Sequence, residues 1–333
     1  SLKEWKLDSS DAERRLKAVW NRKPGLSWKR YLTIAASVVI LLFAGWWGFR
    51  HVDKNTEIPA EVFAKIEPIT PRAVLVLSSG KQIDLAESHE QITEQNGMIV
   101  EVDSSGEIRY QRTDLQSEEI IYNKVIVPRS GEYFVTLCDG SKVWLNAGTK
   151  LTYPIAFVGK ERRVRLEGEG YFEVERDENK PFIVEINGME VKVLGTSFNL
   201  RSFAADNRST ATLISGKIEV KTSSQSVELS PNQQADLLVR ENKLDVREVD
   251  AIAYSAWTKG KFVFRRERLE AILDDVSRWY NVTVFYEQSR VKDILFSGIM
   301  ERYADISQTL EMLEKTGKVN FIIDQKKIIV RAK

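Results

Sequence analysis

Apolar and polar residues alternate with a period of two between about residues 70 and 250, which is the pattern of half-buried β-strands. The clearest case is RVRLEGEGYFEVE, residues 163–175. One parity predicts a face that packs inward: Val164, Leu166, Gly168, Gly170, Phe172 and Val174. The other parity predicts a solvated face: Arg163, Arg165, Glu167, Glu169, Glu173 and Glu175. The alternation therefore argues against a glycosidase-type pair of catalytic carboxylates in this segment.

Two short turn motifs in this β-rich region predict hairpins. In FIVEINGMEVKV, residues 182–193, Asn187-Gly188 is a two-residue turn sequence that favours type I′. The register that follows pairs apolar residues with each other: Ile186 with Met189, Val184 with Val191, and Phe182 with Val193. LISGKIEV, residues 213–220, repeats the pattern and predicts a second hairpin turn at Ser215-Gly216.

Gly195-Thr196 interrupts an otherwise strand-like stretch, MEVKVLGTSFNLRSF, residues 189–203. The apolar series ends at Val193 and resumes at Phe198 on the opposite parity. One residue too many between them predicts a β-bulge in a paired strand. Continuing the register of the first hairpin places Gly195-Thr196 opposite Asn179-Lys180, at the open end of that hairpin.

A weak internal repeat relates LVLSSGKQIDL, residues 75–85, to VTLCDGSKVWL, residues 135–145. The equivalent positions are Leu77 and Leu137, Gly80 and Gly140, Ile83 and Val143, and Leu85 and Leu145. We expect residues 70–250 to form a mainly β domain of stacked hairpins around a shared core, solenoid-like or jelly-roll-like.

The periodicity changes after residue 258 and predicts a compact α+β domain over residues 258–333. Strand and helix patterns follow each other as β-α-β and then β-α-β-β, with Asp305 and Gln308 capping the second helix. Trp279, Tyr280 and Phe285 are expected in the core or at its edge. The terminal KIIVRAK, residues 327–333, is rich in Lys and Arg, so we expect it to be an edge strand.

Residues 31–49, YLTIAASVVILLFAGWWGF, contain no charge and would form a helix about 28 Å long, enough to cross a bilayer. Residues 1–30 hold nine Lys/Arg and four Asp/Glu, which predicts a cytoplasmic N-terminus. A secretory signal peptide is the alternative, but the Trp46-Trp47 pair stands where a small-residue cleavage site would be. We therefore expect a membrane anchor, a linker over residues 50–69, and an exported C-terminal bulk.

The composition excludes several kinds of chemistry. Cys138 is the one cysteine, and His51 and His89 are the two histidines. An intrachain disulfide, a cysteine metal cluster, a His-rich zinc site and a Ser-His-Asp relay are therefore not expected. The net charge of +1 gives no general case for nucleic-acid binding. We predict no cofactor, no metal site and no turnover enzyme.

Several motifs of the chain resemble the FecR-like anti-sigma regulators of Gram-negative bacteria. The β-region motifs are VTLCDGSKVWLNAGTKLTYPIAF, RRVRLEGEGYFEVERDENKPFIVE, VKVLGTSFNLRSF and LSPNQQADL, and FVFRRERLEAILDDVSRWYNVTVFY and LFSGIMERYADISQTLEMLEKTGKVNFII resemble the family's C-terminal domain. That domain is similar to the short secretin/TonB N-terminal fold. The resemblance covers residues 70–333 and implies a mainly β periplasmic domain followed by this α+β domain.

The resemblance also implies a role in cell-surface signalling and transcription regulation. In the family a cytoplasmic domain holds an extracytoplasmic-function sigma factor, and the periplasmic part contacts the signalling domain of a TonB-dependent outer-membrane transporter. Stepwise cleavage by membrane proteases then releases the sigma factor. The chain begins with Ser, and 30 residues precede the apolar segment, so we expect residues 1–30 to be a remnant of a longer anti-sigma domain. The predicted location is the bacterial inner membrane, single-pass.

Some family members cleave themselves at a Gly-Thr bond in a motif similar to VLGTSF. The resemblance implies that Thr196 is the nucleophile and that Gly195 supplies the attacked carbonyl, through an N-to-O acyl shift. The two halves would stay associated. The alternative is that Gly195 is a bulge glycine and Thr196 an ordinary strand residue.

We expect the partner surface to lie in residues 258–333, where a free sheet edge can accept a strand from a transporter domain. The main alternative function is a membrane-tethered periplasmic carbohydrate-binding or scaffold protein. Such a protein would need exposed aromatic platforms, for which the candidates are Trp144, Tyr153 and Tyr171.

Overall fold

The computed structural model describes most of the residues on which the β-rich prediction falls and all of those in the predicted α+β domain. The predicted cytoplasmic segment, membrane helix and linker lie outside the described residues. Within the part that is described, no helix is long and apolar enough to cross a membrane. The described ranges are residues 73–86, 91–93, 98–102, 108–112 and 120–333.

Residues 73–248 contribute strands to a mainly β domain, called the β domain below. Its described strands are β1 (Val74–Val76), β2 (Gln82–Asp84), β3 (Gln91–Thr93), β4 (Met98–Val102), β5 (Ile108–Arg112), β6 (Tyr122–Ile126), β7 (Tyr133–Thr136), β8 (Lys142–Leu145), β9 (Lys150–Pro154), β10 (Arg162–Glu173), β11 (Phe182–Ile186), β12 (Met189–Val193), β13 (Ser197–Ser202), β14 (Arg208–Ser215), β15 (Ile218–Lys221), β16 (Ser226–Leu229), β17 (Gln233–Leu238) and β18 (Lys243–Glu248).

Fifteen of these strands form one continuous hydrogen-bonded network with the long strand β10 at its centre. The main path runs β16-β15-β12-β11-β10-β13-β14-β17-β18, and β3-β4-β5 form a separate sheet. The first part of β10 pairs with β9 and β11, and its second part pairs with β8 and β13. Gly168 (φ +116°) lies where β10 changes its pairing partners, and a Cβ added there would lie 2.5–2.9 Å from Thr149. Such a close approach needs glycine.

The alternation predicted for β10 is confirmed for the inward parity, because Val164, Leu166 and Phe172 are buried in the core. The outward parity is exposed at Glu167 and Glu173. The prediction was wrong for Glu169, which is only 7% exposed. Alternation predicts the face of a strand, but it does not predict what later packs on that face.

The Asn187-Gly188 hairpin is confirmed with the predicted register, Ile186 with Met189 through Phe182 with Val193. The hairpin predicted at Ser215-Gly216 was wrong. β14 pairs with β13 and β17, whereas β15 pairs with β12 and β16. Gly216, with φ +93°, is a corner at which the chain passes from one set of strands to another.

The internal repeat corresponds to two equivalent hairpins, β1-β2 and β7-β8. Leu75 pairs with Ile83, and Val135 pairs with Val143. In each turn a glycine has a positive φ, 84° in one and 86° in the other, and its N–H donates to the leucine carbonyl three residues earlier at 2.9 Å. The shared hydrophobic pattern thus encodes a shared turn.

A short helix α1 (Ala251–Ser255) and a 3₁₀ turn (Ala256–Lys259) lead into the C-terminal module, residues 261–333. The predicted element order β-α-β, β-α-β-β is confirmed, with a further 3₁₀ turn (Ser289–Asp293) between the two halves. The module's elements are β19 (Lys261–Arg268), α2 (Leu269–Tyr280), β20 (Thr283–Tyr286), β21 (Leu295–Glu301), α3 (Ile306–Glu314), β22 (Val319–Asp324) and β23 (Lys327–Ala332).

The module contains a two-stranded sheet, β19-β21, and a three-stranded sheet, β20-β23-β22. The prediction that KIIVRAK is an edge strand was wrong, because β23 is central and pairs on both sides. The completely buried Ile328 and Val330 favour that central position. The basic residues Lys327 and Arg331 are exposed side chains of the same strand.

Asp305 as the helix cap and two of the three aromatic positions in the module are confirmed, whereas the part predicted for Gln308 stays a prediction. Asp305 accepts a hydrogen bond from the backbone N–H of Ser307 at 2.8 Å, as an N-cap residue does. Trp279 and Tyr280 are buried, but Phe285 is 49% exposed. The expectation that Phe285 lies in or beside the core was therefore wrong.

Candidate functional site

Gly195-Thr196 lies in a corner between β12 and β13, not inside one bulged strand. The parity changes there because β12 pairs with β11 and β15, whereas β13 pairs with β10 and β14. A register shift does occur, between Ser197 and Phe198 where β13 pairs with β14. The expected position opposite Asn179-Lys180 was also wrong, because the backbone carbonyls of the corner accept from the N–H groups of Val174 and Asp177.

The first side of the corner is held by the segment that follows β10. The N–H of Asp177 donates to the carbonyl of Leu194 at 2.8 Å, and the N–H of Val174 donates to the carbonyl of Thr196 at 3.0 Å. A Cβ on Gly195 would lie 2.7–2.9 Å from the Cα, Cβ and Cγ atoms of Arg176. Gly195 is therefore required by this close approach.

The second side of the corner is covered by Gly216 and Lys217. Thr196 is 5% exposed, and its hydroxyl donates to the carbonyl of Lys217 at 3.0 Å. A Cβ on Gly216 would lie 2.8 Å from Thr196 Oγ1 and 2.9 Å from the Gly195 carbonyl oxygen. The corner at Gly216 thus packs directly on the Gly195-Thr196 peptide bond.

The chemical groups at the corner are a hydroxyl and the carbonyl of the preceding residue. Within the described residues no carboxylate or imidazole hydrogen-bonds to Thr196 Oγ1, whose hydrogen bond is to the Lys217 carbonyl. No group of three or more His, Cys, Asp or Glu side chains in the described part of the chain is arranged to hold a metal. Among the described residues, the groups available for chemistry here are therefore the backbone and the Thr196 hydroxyl.

Arg162 holds the segment that contacts the corner, and it was not among the site residues predicted from the sequence. Its side chain is 3% exposed and forms an ion pair with Asp139 at 2.6 Å. Its Nη1 also donates to the Glu175 carbonyl and its Nε to the Lys180 carbonyl, both at 2.9 Å. Arg162 thereby fixes both ends of the segment that contacts Gly195. Its position, two residues before Val164 and on the same inward parity, was the available signal.

The aromatic residues considered as sugar platforms are largely packed against protein. Tyr153 is 1% exposed and Tyr171 is 9% exposed. Trp144 is half-buried between Phe134 and Tyr171, with ring centroids 4.8 and 5.4 Å away. Tyr153 cannot act as an exposed platform, and the other two contact each other.

A second polar site lies between the β domain and the C-terminal module. It is a cleft of about 550 Å³, lined by the β-domain residues Asn146, Glu169 and Arg201 and by the module residues Phe262 and Asp275. Arg201 forms ion pairs with Asp275 at 2.7 Å and with Glu169 at 3.3 Å. No local sequence motif marks this site, because its members come from elements that are distant in sequence.

Comparison with known proteins gives matches over both parts of the described chain. The family model "FecR protein" matches residues 124–219, and the model "FecR, C-terminal" matches residues 261–330. No curated protein sequence matches the chain.

Solved structures also match. Two crystal structures of a "putative anti-sigma factor" from Parabacteroides distasonis, at 1.65 and 2.50 Å, each have 30% sequence identity and a TM-score of 0.60. The matches cover 63% and 64% of this chain and 99% of the Parabacteroides chain.

Proposed function

The chain belongs to the FecR-like anti-sigma factors, and from this premise we propose that it relays a signal across the bacterial inner membrane to a sigma factor. The observation that carries the proposal is the 30% identity to a protein described as a "putative anti-sigma factor", 99% of whose chain is covered, and it is supported by the family matches over residues 124–219 and 261–330. Residues 1–30 would be cytoplasmic, residues 31–49 would span the membrane, and the described part would lie in the periplasm. The target would be an extracytoplasmic-function sigma factor.

The incoming signal is proposed to come from the signalling domain of a TonB-dependent outer-membrane transporter. We assign its contact to the free edge of β20, because β20 pairs with β23 on one side and ends the described sheet on the other. The N–H groups of Thr283 and Glu287 donate to residues of the β23 side, so alternation directs those of Val284 and Tyr286 to the free edge. The exposed Phe285 lies on the same strand.

Co-purification tests this contact. The C-terminally tagged protein would be purified from its native membranes, and its partners identified by mass spectrometry. We expect a TonB-dependent transporter with the unmutated protein and none with Phe285→Ser. The matched control is Ile299→Ser, because Ile299 is a similarly exposed apolar residue, 52%, on β21 of the other sheet. Equal recovery with both variants, or no transporter at all, would contradict the proposal.

We further propose that Gly195-Thr196 is a self-cleavage site, the first of the proteolytic steps, and that the chain has no turnover activity. Thr196 Oγ1 would attack the Gly195 carbonyl carbon, the C–N bond would break, and the hydroxyl proton would pass to the released amine. Water would then hydrolyse the ester, leaving a Gly195 carboxylate and a Thr196 N-terminus. The crowded corner, where Gly216 lies against both reacting groups, supports the assignment.

Intact-mass measurement tests the cleavage. We expect two fragments from the unmutated protein, the second beginning at Thr196, and a single intact mass from Thr196→Ala. Ser209→Ala is a suitable control, because Ser209 is also a buried hydroxyl and donates to a backbone carbonyl, that of Asn187, at 2.8 Å. One intact mass for all three proteins would show that the corner has only a structural role.

A further inference from the structure

The C-terminal module and the β domain are joined by arginines that each side inserts into the other. Arg201 of β13 donates to Asp275 of α2 at 2.7 Å. In the opposite direction, Arg302 of the module donates to Asn146 of the β domain. Arg302 also donates to the Trp257 carbonyl at 3.1 Å. These residues, Arg201, Asp275, Arg302 and Asn146, are called the joint below. Charged and polar side chains of each part contact the other part there.

The joint is electrostatically demanding because its charges are largely removed from water: the side chains of Arg201 and Asp275 are only 24% and 28% exposed. Arg302 is completely buried, and burial lowers its pKa to about 10, which still leaves it charged at neutral pH. Burial would lower the pKa of Arg201 as well, but Asp275 and Glu169 more than offset this and raise it. A charge in such a place depends on its partners, and removal of one partner leaves the other uncompensated.

Glu169 of β10 connects the two arms of the joint. One of its carboxylate oxygens accepts from Asn146 at 2.8 Å and from Arg201 at 3.3 Å. The other oxygen accepts from Asn199 at 3.1 Å. Asn199 in turn accepts from the indole N–H of Trp257 at 3.1 Å. One carboxylate therefore orients the three β-domain side chains that contact Arg302, Asp275 and Trp257.

The strands that carry this network are the strands that hold the Gly195-Thr196 corner. β10 continues past Glu169 to Glu173, and the N–H of the next residue, Val174, donates to the Thr196 carbonyl. β13 begins directly after Thr196 and carries both Asn199 and Arg201. Glu169 pairs with Arg201 in the register of these two strands. The module and the corner are therefore connected through two adjacent strands.

We propose that Glu169 couples the docking of the C-terminal module to the backbone of the Gly195-Thr196 corner. It acts as a positioning residue: when the module is docked, Glu169 holds β10 and β13 in the register that keeps Thr196 covered. When the module is released, Arg201 and Asn146 lose their partners in it, and the backbone hydrogen bonds that hold the corner open more often. The regulatory meaning rests on the self-cleavage proposed above, but the mechanical coupling does not require cleavage.

Backbone amide hydrogen exchange of the full chain tests the coupling. The N–H of Ser130, which donates to the Arg278 carbonyl at 3.0 Å, reports on the joint, and those of Val174 and Asp177 report on the corner. We expect Glu169→Gln to raise exchange at least tenfold at both reporters. The matched control is Glu167→Gln, because Glu167 lies on the same strand but is exposed, and it should change neither.

A second pair of variants approaches the joint from the module. Asp275→Asn removes the ion-pair partner that the module offers to Arg201, whereas Asp274→Asn changes a neighbouring carboxylate that does not form an ion pair with Arg201. We expect Asp275→Asn to raise exchange at Ser130 and at Val174 and Asp177. The Asp274→Asn variant should leave both reporters as they are.

Two results would overturn the proposal. Faster exchange at Ser130 with no change at Val174 and Asp177 would mean that the joint opens without affecting the corner. If Glu169→Gln and Glu167→Gln give the same exchange rates, Glu169 does not stabilise the joint. Absence of self-cleavage in the unmutated protein would instead contradict the proposed cleavage and leave the exchange result standing.

Discussion

The guanidinium carbon of Arg302 lies 3.4 Å from the centre of the Trp279 ring, inside the joint between the two parts of the protein. Stacking of this kind suits arginine better than lysine, because the planar guanidinium combines a cation–π contact with directed hydrogen bonds. Arg302 makes both at once, since it also donates to Asn146 and to the Trp257 carbonyl.

Arg302→Lys is expected to lower the free energy of unfolding by about 3 kcal/mol, because a buried charge loses most of its partners. The control is Arg331→Lys, since Arg331 forms its ion pair with Glu287 at the surface, with side chains 48% and 42% exposed. The control should change the stability by no more than about 0.5 kcal/mol. Urea unfolding measures both, and equal effects would show that the stacked arrangement contributes little.

Asp274→Asn and Asp275→Asn are expected to have different effects on the free energy of unfolding at neutral pH. Burial raises the pKa of Asp274, so its ionised form costs stability and the amide removes that cost. Burial also acts on Asp275, but Arg201 and Arg278 hold its pKa below the usual range. Asp275→Asn should therefore destabilise the protein, by about 2 kcal/mol, and Asp274→Asn should stabilise it slightly or leave it unchanged.

The pH dependence of the same two variants provides a further check. The stability contributed by Asp275 is present above the unfolded-state pKa, near pH 4, and is lost as the pH falls through the lower folded-state pKa. The difference in the free energy of unfolding between Asp275→Asn and the unmutated protein should therefore shrink as the pH falls below about 4. A gap that stays constant from pH 7 to pH 3 would argue against this ion pair as its source.

Gly216→Ala is expected to cost more stability than Gly80→Ala, although both glycines have a positive φ, +93° and +84°. At Gly80 nothing lies within 4 Å of an added Cβ, so only the backbone strain of about 1–2 kcal/mol applies. At Gly216 the new methyl group would also lie 2.8 Å from Thr196 Oγ1. Thermal unfolding of the two variants gives the comparison, and an equal loss would mean that the two corners are not in firm contact.

Arg162→Met is expected to destabilise the β domain by about 3 kcal/mol, because Asp139 keeps a charge without its partner. The double variant Arg162→Met/Asp139→Asn should recover part of that loss, since both charges are then absent. If the double variant is as unstable as the sum of the two single variants, the ion pair is not the source of the effect.

Local features of the fold were predictable where a short sequence decides the geometry. Asn187-Gly188 determined the β11-β12 register, and Asp305 capped α3 as expected. In contrast, Ser215-Gly216 has the composition of a hairpin turn, yet β15 pairs with β12 instead of β14. The local pattern is the same in both cases, and the choice depends on strands that are distant in sequence.

The candidate sites were likewise predictable in their local features but not in their contacts with distant parts of the chain. Gly195-Thr196 was identifiable from its parity change, but the contact with Gly216 was not, because it joins two corners from different pairs of strands. Glu169 was expected on a solvated face. That face is covered by polar side chains and the C-terminal module, so its burial depends on residues such as Arg201 and Asn199 and not on the alternation of its own strand.

The position of β13 has a consequence for how force passes through the molecule. The piece of the chain that ends at Gly195 contains β10 and β12, and the piece that begins at Thr196 contains β13 and β15. β10 and β13 are joined by six residue pairs, and β12 and β15 by three. If the bond between Gly195 and Thr196 is cut, tension applied at the C-terminal module still reaches the N-terminal piece through these pairings. A pull strong enough to separate the strands would then be the event that parts the two pieces, and the protein would respond to a mechanical threshold.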